Sequence, residues 1–313
     1  MKVFRGLPTP ESRRPCVLTI GNFDGVHRGH QALLARLRAQ ADALGLPVCV
    51  MTFEPHPREF FNPAAAPARV ANLRDKLEGL RACGVDRVIV EHFNARFASL
   101  TAQQFIDDIV VGGLHARSIL VGDDFRFGAK RQGDFALLQA AGQRQGFAVE
   151  SLATVQEEGV RISSSAVRAA LQAGDLDAAA TLLGHPYFIS GHVIHGQKLG
   201  RTLGYPTLNF RVAYKGAFKR PALMGIFVVQ VHGINAVPVP GVASLGMRPT
   251  VDDSGRVLLE VHLLDVDQDL YGKLLRVEFL HKLRDEEKYD SLERLKAQIA
   301  ADEAAARKWF ATH

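Results

Sequence analysis

The pattern of apolar residues changes near Gly184-His185-Pro186, and this change constrains the fold more than any other feature of the sequence. Before this point, short apolar runs typical of buried strands alternate with longer segments in which apolar residues recur at helical spacing. Such alternation predicts a parallel sheet with helices on both faces. The predicted strands are 17–21, 46–53, 87–93, 118–122 and 147–152, and the predicted helices are a segment that ends at Gly45 and residues 72–83, 101–111 and 133–145.

A helix is predicted over residues 164–183, just before the change. After the change, the pattern of apolar residues is typical of strands. Short runs with period-two alternation or β-branched residues follow one another, separated by glycines and prolines. They predict a small antiparallel barrel or sandwich, with a last helix at 291–310 packed on it. The predicted strands of this half are 188–194, 207–212, 226–231, 237–243, 257–264 and 274–280. We therefore expect two domains, residues 1–184 and 185–313.

Composition narrows the class of protein. The 313 residues are 47% apolar and 23% charged, which argues against intrinsic disorder. The net charge of +5 is spread along the chain without a block of like charges, so charge alone indicates neither a nucleic acid nor a membrane as partner. The three cysteines show no CxxC spacing, and no segment has the apolar character of a leader or a spanning helix. We expect a cytoplasmic protein with reduced thiols.

The turn after the first strand, residues 21–30, reads GNFDGVHRGH and leads directly into a helix. Backbone N–H groups and the helix dipole favour a phosphate at such a junction. Gly25 and Gly29 allow a close approach, and His27 and His30 can donate to phosphate oxygens from one side. Two alternatives are a metal site, for which further ligands are lacking nearby, and purely structural histidines. The combination favours phosphate binding.

Two later segments support this interpretation. VGDDFRFG at 121–128 follows another predicted strand and brings acids, an arginine and aromatic residues to the same rim of the sheet. RISSSAVR at 161–168 opens the next helix, with Arg168 about one turn in. The serines and Arg168 are either an ordinary helix cap with a surface charge or a second phosphate clamp, and the residues alone leave both open.

The second half contains a separate candidate site. Residues 195–209, HGQKLGRTLGYPTLN, hold glycines and basic residues that could wrap phosphates, although a plain hairpin loop is the commoner explanation. Thr207 and Asn209 present two hard oxygen ligands on one face of a strand, which suits Mg²⁺. Glu260 lies in an apolar strand, on the face opposite Leu259 and Val261. Such an acid commonly faces solvent, but it is also a competent general base.

These motifs together resemble a known family. HRGH at 27–30 resembles the HxGH signature of nucleotidylyltransferases, and residues 161–168 resemble their serine-rich phosphate motif. The longer GNFDGVHRGH, with TFEPHPREF at 52–60 and VGDDFRFG at 121–128, is similar to bacterial bifunctional riboflavin kinase/FAD synthetases. PTLN at 206–209 resembles the PTAN-type motif of riboflavin kinases, with Leu208 expected to point into the barrel. The resemblance covers essentially the whole chain.

The resemblance implies two ATP-dependent activities that use Mg²⁺. A Rossmann-like nucleotidylyltransferase domain, residues 1–184, would adenylylate FMN to FAD and release pyrophosphate. A riboflavin kinase barrel, residues 185–313, would phosphorylate riboflavin to FMN. The expected ligands are therefore riboflavin, FMN, FAD and ATP, with neither a nucleic acid nor a membrane as partner.

The same resemblance assigns roles to residues at both sites. In the first domain these are His27, His30 and Arg168 for catalysis, Gly21, Phe23, Asp24, Gly29, Asp124, Ser164 and Ser165 for the nucleotide, and Phe125 for the flavin. In the barrel they are Glu260 as base, Gly196, Lys198, Arg201 and Gly204 for the nucleotide, Thr207 and Asn209 for Mg²⁺, and Arg284 for the flavin. Asp124 stands where some members have Asn. Residues 245–250 resemble a flap, and residues 283–286 resemble a loop on the flavin side.

Two other functions are compatible with parts of the sequence. One is a monofunctional FMN adenylyltransferase whose barrel only holds flavin, against which Thr207, Asn209 and Glu260 argue. The other is a nucleic-acid-binding module, suggested by the small barrel and the pI of about 9.2. It ranks low because the barrel half lacks a basic strand interleaved with exposed aromatic residues.

Overall fold

The computed structural model describes residues 1–152, 156–157, 160–196, 204–212, 221–247, 257–266 and 268–313. Contacts divide the chain into two compact units. The sheet unit comprises Met1–Pro67 and Lys76–Ser163, and the barrel unit comprises Ala68–Asp75 and Ser164–His313. Among the described residues, no helix combines the length and the apolar character needed to cross a membrane.

The sheet unit contains a six-stranded parallel sheet within its described residues. Every side chain of the second strand, CVLTI, is buried, as expected for a strand covered on both faces. The α/β fold predicted from the sequence is therefore confirmed. The strands are β1 Lys2–Arg5, β2 Cys16–Ile20, β3 Val48–Glu54, β4 Arg87–His92, β5 Ala116–Gly122 and β6 Ala148–Leu152, in the order β1-β4-β3-β2-β5-β6.

The helices of this half begin and end where local signals predict. The first helix starts after the N-cap His27 and ends at Gly45, which adopts the left-handed conformation (φ 63°). The predicted helix at 101–111 is a short α-helical turn followed by a π-helical stretch, Phe105–Val111. The helices are α1 Arg28–Leu44, α2 Pro57–Phe61, α3 Leu73–Ala82, α4 Ala95–Ala98, α5 Ala102–Gln104 and α6 Phe135–Gln145.

The strand order identifies the place where a ligand is expected. From β2 the chain proceeds to β3 and β4 on one side, and then returns to add β5 and β6 on the other side. In open parallel sheets, ligands bind outside the carboxyl ends of the strands at such a switch point. Here the switch point lies between the ends of β2 and β5, which lead into residues 21–30 and 123–128. A hairpin of β7 Gln156–Glu157 and β8 Val160–Arg161 follows β6.

The barrel unit contains a closed antiparallel barrel, which confirms the second predicted architecture. Alternate residues point inward, so that Leu259 and Val261 are fully buried while Glu260 between them is only half-buried. The strands are β9 Phe188–Ile194, β10 Leu208–Arg211, β11 Gly225–His232, β12 Val239–Met247, β13 Val257–Leu263 and β14 Leu274–Arg284, in the closed order β10-β13-β12-β11-β14-β9.

Three helices complete the barrel unit in the part of the chain that is described. The predicted helix 164–183 is two helices, α7 Ser164–Ala173 and α8 Leu176–Leu183. Gly174 between them has a φ of +75°, and the Asp175 side chain accepts a hydrogen bond from the Ala178 N–H at 2.9 Å, which caps α8. The last helix, α9 Leu292–Thr312, contacts β11, β12 and β14.

Residues 68–75 tie into the barrel, although they are far away in sequence. Val70 lies in the same apolar core as Ile189 of β9 and Val167 of α7. The Asp75 carboxylate accepts from the Ser190 N–H at 3.1 Å, and the Asn72 amide donates to the Ser190 carbonyl at 3.1 Å. We call residues 68–75 the strap. Because α7, α8 and the strap pack with the barrel, a boundary of the two activities at residue 184 stays a prediction.

Candidate functional site

The turn after β2 has an unusual backbone. Phe23 (φ 48°) and Val26 (φ 42°) adopt the left-handed region together with Gly25 (φ 90°). Residues other than glycine rarely adopt this backbone conformation. Phe23 and Val26 are buried at 2% and 3% exposure, so packing holds them in this conformation. Asp24, in the same turn, is also buried. Strain of this kind persists where the surroundings over-determine it, and it concentrates at functional sites.

His27 and His30 lie face to face at the start of α1. Their rings are stacked with centroids 3.7 Å apart, and the Phe23 ring lies 4.8 Å from His30. His27 Nδ1 accepts from the His30 N–H at 3.4 Å, so the neutral ring carries its hydrogen on Nε2. A Cβ on Gly29 would lie 3.2 Å from the His27 ring, a tight contact that favours glycine at that position.

Burial lowers the pKa of His30 well below its ordinary value, and His27 and Lys76 lower it further by charge repulsion. His30 is therefore neutral at neutral pH. Its buried Nδ1 has no hydrogen-bond partner among the described residues, and neither has the buried Oδ1 of Asn22. Buried polar atoms are normally satisfied, so these two atoms are suited to a ligand or an ordered water at this end of the sheet.

The lowered pKa of His30 predicts a pH dependence of stability. The unfolded chain binds a proton here as the pH falls below about 6.5, whereas the folded chain does not until a lower pH. The free energy of unfolding should therefore fall on acidification, by at most about 1.4 kcal/mol per pH unit from this residue. Urea unfolding of the parent and of His30→Asn between pH 7.5 and 5 tests this, because the variant should lose that part of the dependence. Identical pH dependence of the two proteins would contradict it.

Lys76 is a residue of this site that the sequence analysis did not single out. It is 1% exposed, and its Nζ lies 3.4 Å from Thr52 Oγ1, which in turn donates to the Asn22 carbonyl at 3.1 Å. A buried ammonium group is costly unless it is paired. Its position beside His30 adds positive charge where phosphates are expected. No local signal marks it, because its helical segment reads as an ordinary amphipathic helix.

Three segments predicted to form the first site are brought together within the sheet unit. The Ile162 carbonyl lies beside Gly29, at 3.2 Å from a Cβ built there. Arg161 Nη2 contacts Asp124 Oδ2 at 3.1 Å, so the ends of β5 and β8 meet. Both of these side chains are more than half exposed, and the pair therefore contributes little to stability.

The other half of the serine-rich motif belongs to the barrel unit. Ser164 and Ser165 are the first residues of α7, where Ser165 is exposed and Ser164 half-buried. Arg168, one turn later, donates from Nε to the Ala68 carbonyl of the strap at 2.7 Å. Part of this guanidinium is thus engaged in structure, and a role of the three residues in phosphate binding stays a prediction.

Phe125 ends a series of aromatic rings along the carboxyl edge of the sheet. Its ring stacks on Phe127 with centroids 5.5 Å apart and planes 21° from parallel. The series continues from Phe127 through Phe105, Phe97 and Phe93, each ring within about 6 Å of the next. Around Phe93 lie three further rings, each with its centroid within about 6 Å: Phe53, Phe60 and Phe61. Phe61 is 67% exposed. The rings at the two ends of this group, exposed Phe61 and half-buried Phe125, can stack on a flat ring system.

In the barrel unit, three polar residues form a row across neighbouring strands. Asn209 of β10 is opposite Glu260 of β13, and Glu260 is opposite Ser244 of β12. Directly opposed residues project from the same face, so the amide, carboxylate and hydroxyl lie side by side on the face away from the apolar interior. Ser244 is a residue that sequence reasoning missed. Leu208 packs against the core, as expected.

The row is suited to a hard cation bound together with phosphates. Thr207 precedes β10 and is half-buried, and Asn209 is 5% exposed. Gly196 packs against the Asn209 amide so closely that a Cβ at 196 would overlap it. Gly204 has a φ of +88°, while Lys198 and Arg201 lie outside the described residues. Within those that are described, no group of three His, Cys, Asp or Glu is placed to hold a metal ion. The hydroxyl and amide oxygens of Thr207 and Asn209 are hard ligands of the kind that suits Mg²⁺ shared with a nucleotide.

The contact at Gly196 yields a prediction. Gly196→Ala should displace the Asn209 amide and reduce kinase activity on the order of 100-fold, because small misplacements of such groups are costly. Gly272→Ala is the control for replacing a glycine of the barrel unit, since a Cβ there meets nothing within 4 Å, although its φ of 75° adds backbone strain. FMN formation from riboflavin measures the effect. Equal loss in both variants would indicate a general effect of replacing a glycine in the barrel unit and would contradict a specific overlap with Asn209.

Arg284 lies at the end of β14 in a structural ion pair. Its guanidinium donates to the buried carboxylate of Asp302 in α9, at 2.9 and 2.7 Å. A cavity of about 440 Å³ opens beside this pair, within the volume range typical of small-molecule sites. Gln298 connects the two, because it lines the cavity and donates to Asp302 at 3.0 Å. The cavity is lined by Glu287, Lys288, Tyr289, Asp290, Arg294, Ala297 and Gln298. Flavin contact by Arg284 stays a prediction.

The two loops flanking this region are only partly loops. Residues 245–247 are the end of β12, and 248–250 lie outside the described residues. Glu286, from the second loop, accepts a hydrogen bond from Ser244 Oγ at 3.1 Å. Gly246 packs so closely on the Glu286 carboxylate that a Cβ there would overlap it. The second loop therefore reaches the polar row beside Glu260.

Comparisons with known proteins match the two halves of the chain to two enzyme families. A family model for FAD synthetase matches residues 9–166, and one for riboflavin kinase matches residues 183–310. Curated relatives named bifunctional riboflavin kinase/FMN adenylyltransferase include one from Escherichia coli (strain K12), 51% identical over 99% of this chain and 98% of its own. Another is from Pseudomonas fluorescens, 53% identical over 98% and 97%. A crystal structure described as a macrolide-efflux protein from Streptococcus pneumoniae has 32% identity and a TM-score of 0.78, with 98% of both chains covered. The chain belongs to the family of bifunctional riboflavin kinase/FMN adenylyltransferases.

Proposed function

We propose that the polar row of the barrel unit is the kinase centre of this bifunctional enzyme. Glu260 would take the proton of the riboflavin 5′-hydroxyl. The oxygen of that hydroxyl would bond to the γ-phosphorus of ATP, while the bond from the γ-phosphorus to the oxygen that bridges it to the β-phosphate breaks. A general base is needed because the attacking group is a neutral hydroxyl. The Gly196–Gly204 loop, with Lys198 and Arg201, would hold the phosphates. The register that sets Glu260 beside Asn209 is the observation that carries this assignment.

Thr207 and Asn209 are the proposed ligands of Mg²⁺. The support is the chemistry of their oxygens and the close packing of Gly196 on the Asn209 amide, which holds that amide in one position. When bound with ATP, the ion neutralises charge that develops on the transferred phosphate. The protein's own part is to fix the ligand positions and to keep Glu260 next to them.

The turn at residues 21–30 is the proposed centre for FMN adenylylation. An oxygen of the FMN phosphate would bond to the α-phosphorus of ATP as pyrophosphate leaves. This nucleophile is already anionic, so positioning and charge stabilisation are required and a base is not. His27 and the neutral His30 would donate to phosphate oxygens, with Gly21, Phe23, Asp24 and Gly29 shaping the turn. Ser164, Ser165, Arg168 and Asp124 are proposed to hold the remaining phosphates.

Flavin rings are proposed to bind at two places. In the sheet unit the support is the aromatic series that ends at Phe125, since a flat ring system stacks on such an edge. In the barrel unit it is the cavity beside Arg284 and Tyr289, which has the volume of a small-molecule site. Residues 1–184 would then carry adenylylation and residues 185–313 phosphorylation.

A cytoplasmic location is part of the proposal. Cys16, Cys49 and Cys83 are all free thiols, which is the usual state of cysteines in a reducing compartment. Both proposed reactions also consume ATP. Labelling of intact and lysed cells with a thiol reagent that cannot cross membranes, followed by detection of this chain, tests the location.

The test of the function is a product analysis. The purified chain, incubated with riboflavin, ATP and MgCl₂, should form FMN and then FAD, which chromatography separates. With FMN supplied in place of riboflavin, FAD and pyrophosphate should form directly. FAD formation from FMN without any FMN formation from riboflavin would favour the monofunctional alternative. Absence of both products would refute the assignment.

A further inference from the structure

The strand that carries the proposed Mg²⁺ ligands is only partly fixed by main-chain pairing. β10 begins at Leu208, and its ladder with β13 starts with the pair Leu208 and Val261, followed by Asn209 and Glu260. Thr207 lies one residue before this ladder. Pro206, which precedes it, has no N–H with which to extend the ladder.

The side chain of His262 contacts this segment. His262 Nδ1 lies 2.9 Å from the Pro206 carbonyl oxygen. Because a carbonyl only accepts, Nδ1 carries the hydrogen and donates it. This hydrogen bond links the segment before β10 to β13 at a point beyond the last main-chain pair. Thr207 is thereby held on both sides, by Pro206 before it and by the Leu208 pair after it.

Residues around His262 hold the ring in place. The Tyr205 ring packs edge-on against it, with centroids 5.5 Å apart and planes 77° from parallel. Glu303 of α9 lies 4.0 Å from Nε2, on the side away from Pro206. Glu303 also pairs with Arg307, whose guanidinium contacts both carboxylate oxygens of Asp265 at 2.8 Å. The His262 side chain is 17% exposed, so most of it packs against its neighbours.

We propose that His262 is a positioning residue for the nucleotide and metal side of the kinase centre, acting through Pro206 on Thr207. The inference rests on the proposed role of Thr207 and Asn209. Losing one such hydrogen bond is expected to raise the KM for MgATP about tenfold. The KM for riboflavin should not change, because Glu260 is held independently by its ladder with β12. FMN adenylylation, which uses other residues, should also be unaffected.

Two variants separate positioning from general packing. His262→Leu replaces the ring by an apolar side chain of similar size and removes the donor. His262→Asn places an amide N–H at the position of Nδ1. His262→Leu should raise the KM for MgATP in the kinase reaction, with kcat changed less than twofold. His262→Asn should restore most of the affinity. Should His262→Leu fail to fold, His262→Gln, whose donor is one atom further out, takes its place and should behave in the same way.

Binding of MgADP, measured by calorimetry on the full chain, gives a readout independent of turnover. The affinity for MgADP at the barrel unit should fall about tenfold in His262→Leu and recover in His262→Asn. Unchanged affinity in His262→Leu, or no recovery in His262→Asn, would overturn the inference. Equal loss of both enzymatic activities would also overturn it, since that indicates destabilisation. If the parent phosphorylates no riboflavin, the proposed function fails, and the MgADP comparison still decides the role of His262.

Discussion

Replacing Glu260 by Gln should reduce FMN formation from riboflavin by roughly 10²- to 10⁴-fold, the range that a general base contributes. The substitution keeps the shape of the side chain and its place opposite Asn209 and Ser244, but it removes the group that accepts the proton. FAD formation from supplied FMN should stay within about twofold of the parent, because that reaction uses an anionic nucleophile and other residues. Separate assays with riboflavin and with FMN measure the two rates.

Glu278→Gln is the matched control for this experiment. Glu278 is also a half-buried glutamate on a barrel strand, and it pairs with His232 at 3.1 Å, away from the polar row. Its loss tests what removing a carboxylate does to the barrel in general. Kinase activity of Glu260→Gln near that of the parent would remove Glu260 as the base. Equal loss in both glutamate variants would indicate a general effect on stability.

His30→Asn should have the opposite selectivity. FAD formation from FMN should fall by roughly 10²- to 10³-fold, the cost of losing one pre-positioned donor to developing charge. The expectation follows from the position of His30, which is stacked on His27 and has a buried Nδ1 suited to a ligand. FMN formation from riboflavin should be unchanged, and chromatography of the flavin products measures both.

His92→Asn serves as the control for the histidine variant. His92 ends β4 at the same edge of the sheet, but its ring contacts the Glu54 carbonyl and is exposed. It should keep both activities. If His30→Asn forms FAD at the parent rate, the turn at residues 21–30 is not the adenylylation centre. If both reactions fail in His30→Asn, the separation of the two centres is wrong.

The architecture of both units could be predicted from sequence because it depends on local patterns. Apolar runs such as CVLTI identify strands buried on both faces, and alternation around Glu260 identifies a strand with one wet face. Gly45 and Asp175 mark helix ends by their own conformational preferences. The break at Gly174 was missed because a single glycine is tolerated within a helical pattern, and only the cap after it makes the break clear.

Other features were out of reach because they depend on residues that are distant in sequence. β1 is only four residues long and mostly exposed, so it has no apolar run, and it exists because β4 provides an edge. Lys76 and Ser244 became candidates only when the fold brought them next to His30 and Glu260. For the predicted site residues, the motifs identified which segments meet, while the roles of single side chains remain predictions for the variants above.

The strap has a consequence for how the chain reaches its native state. Asp75 and Ser190, which it joins, are 115 residues apart, so the ribosome releases the strap long before β9 exists. During synthesis, residues 68–75 emerge before the barrel strands that they contact. The barrel unit can close only after the last strands of the sheet unit have emerged. Synthesis from the N-terminus therefore imposes an order on assembly. The strap is synthesised early and forms its contacts late, so the barrel unit is completed by residues that were made before the rest of it.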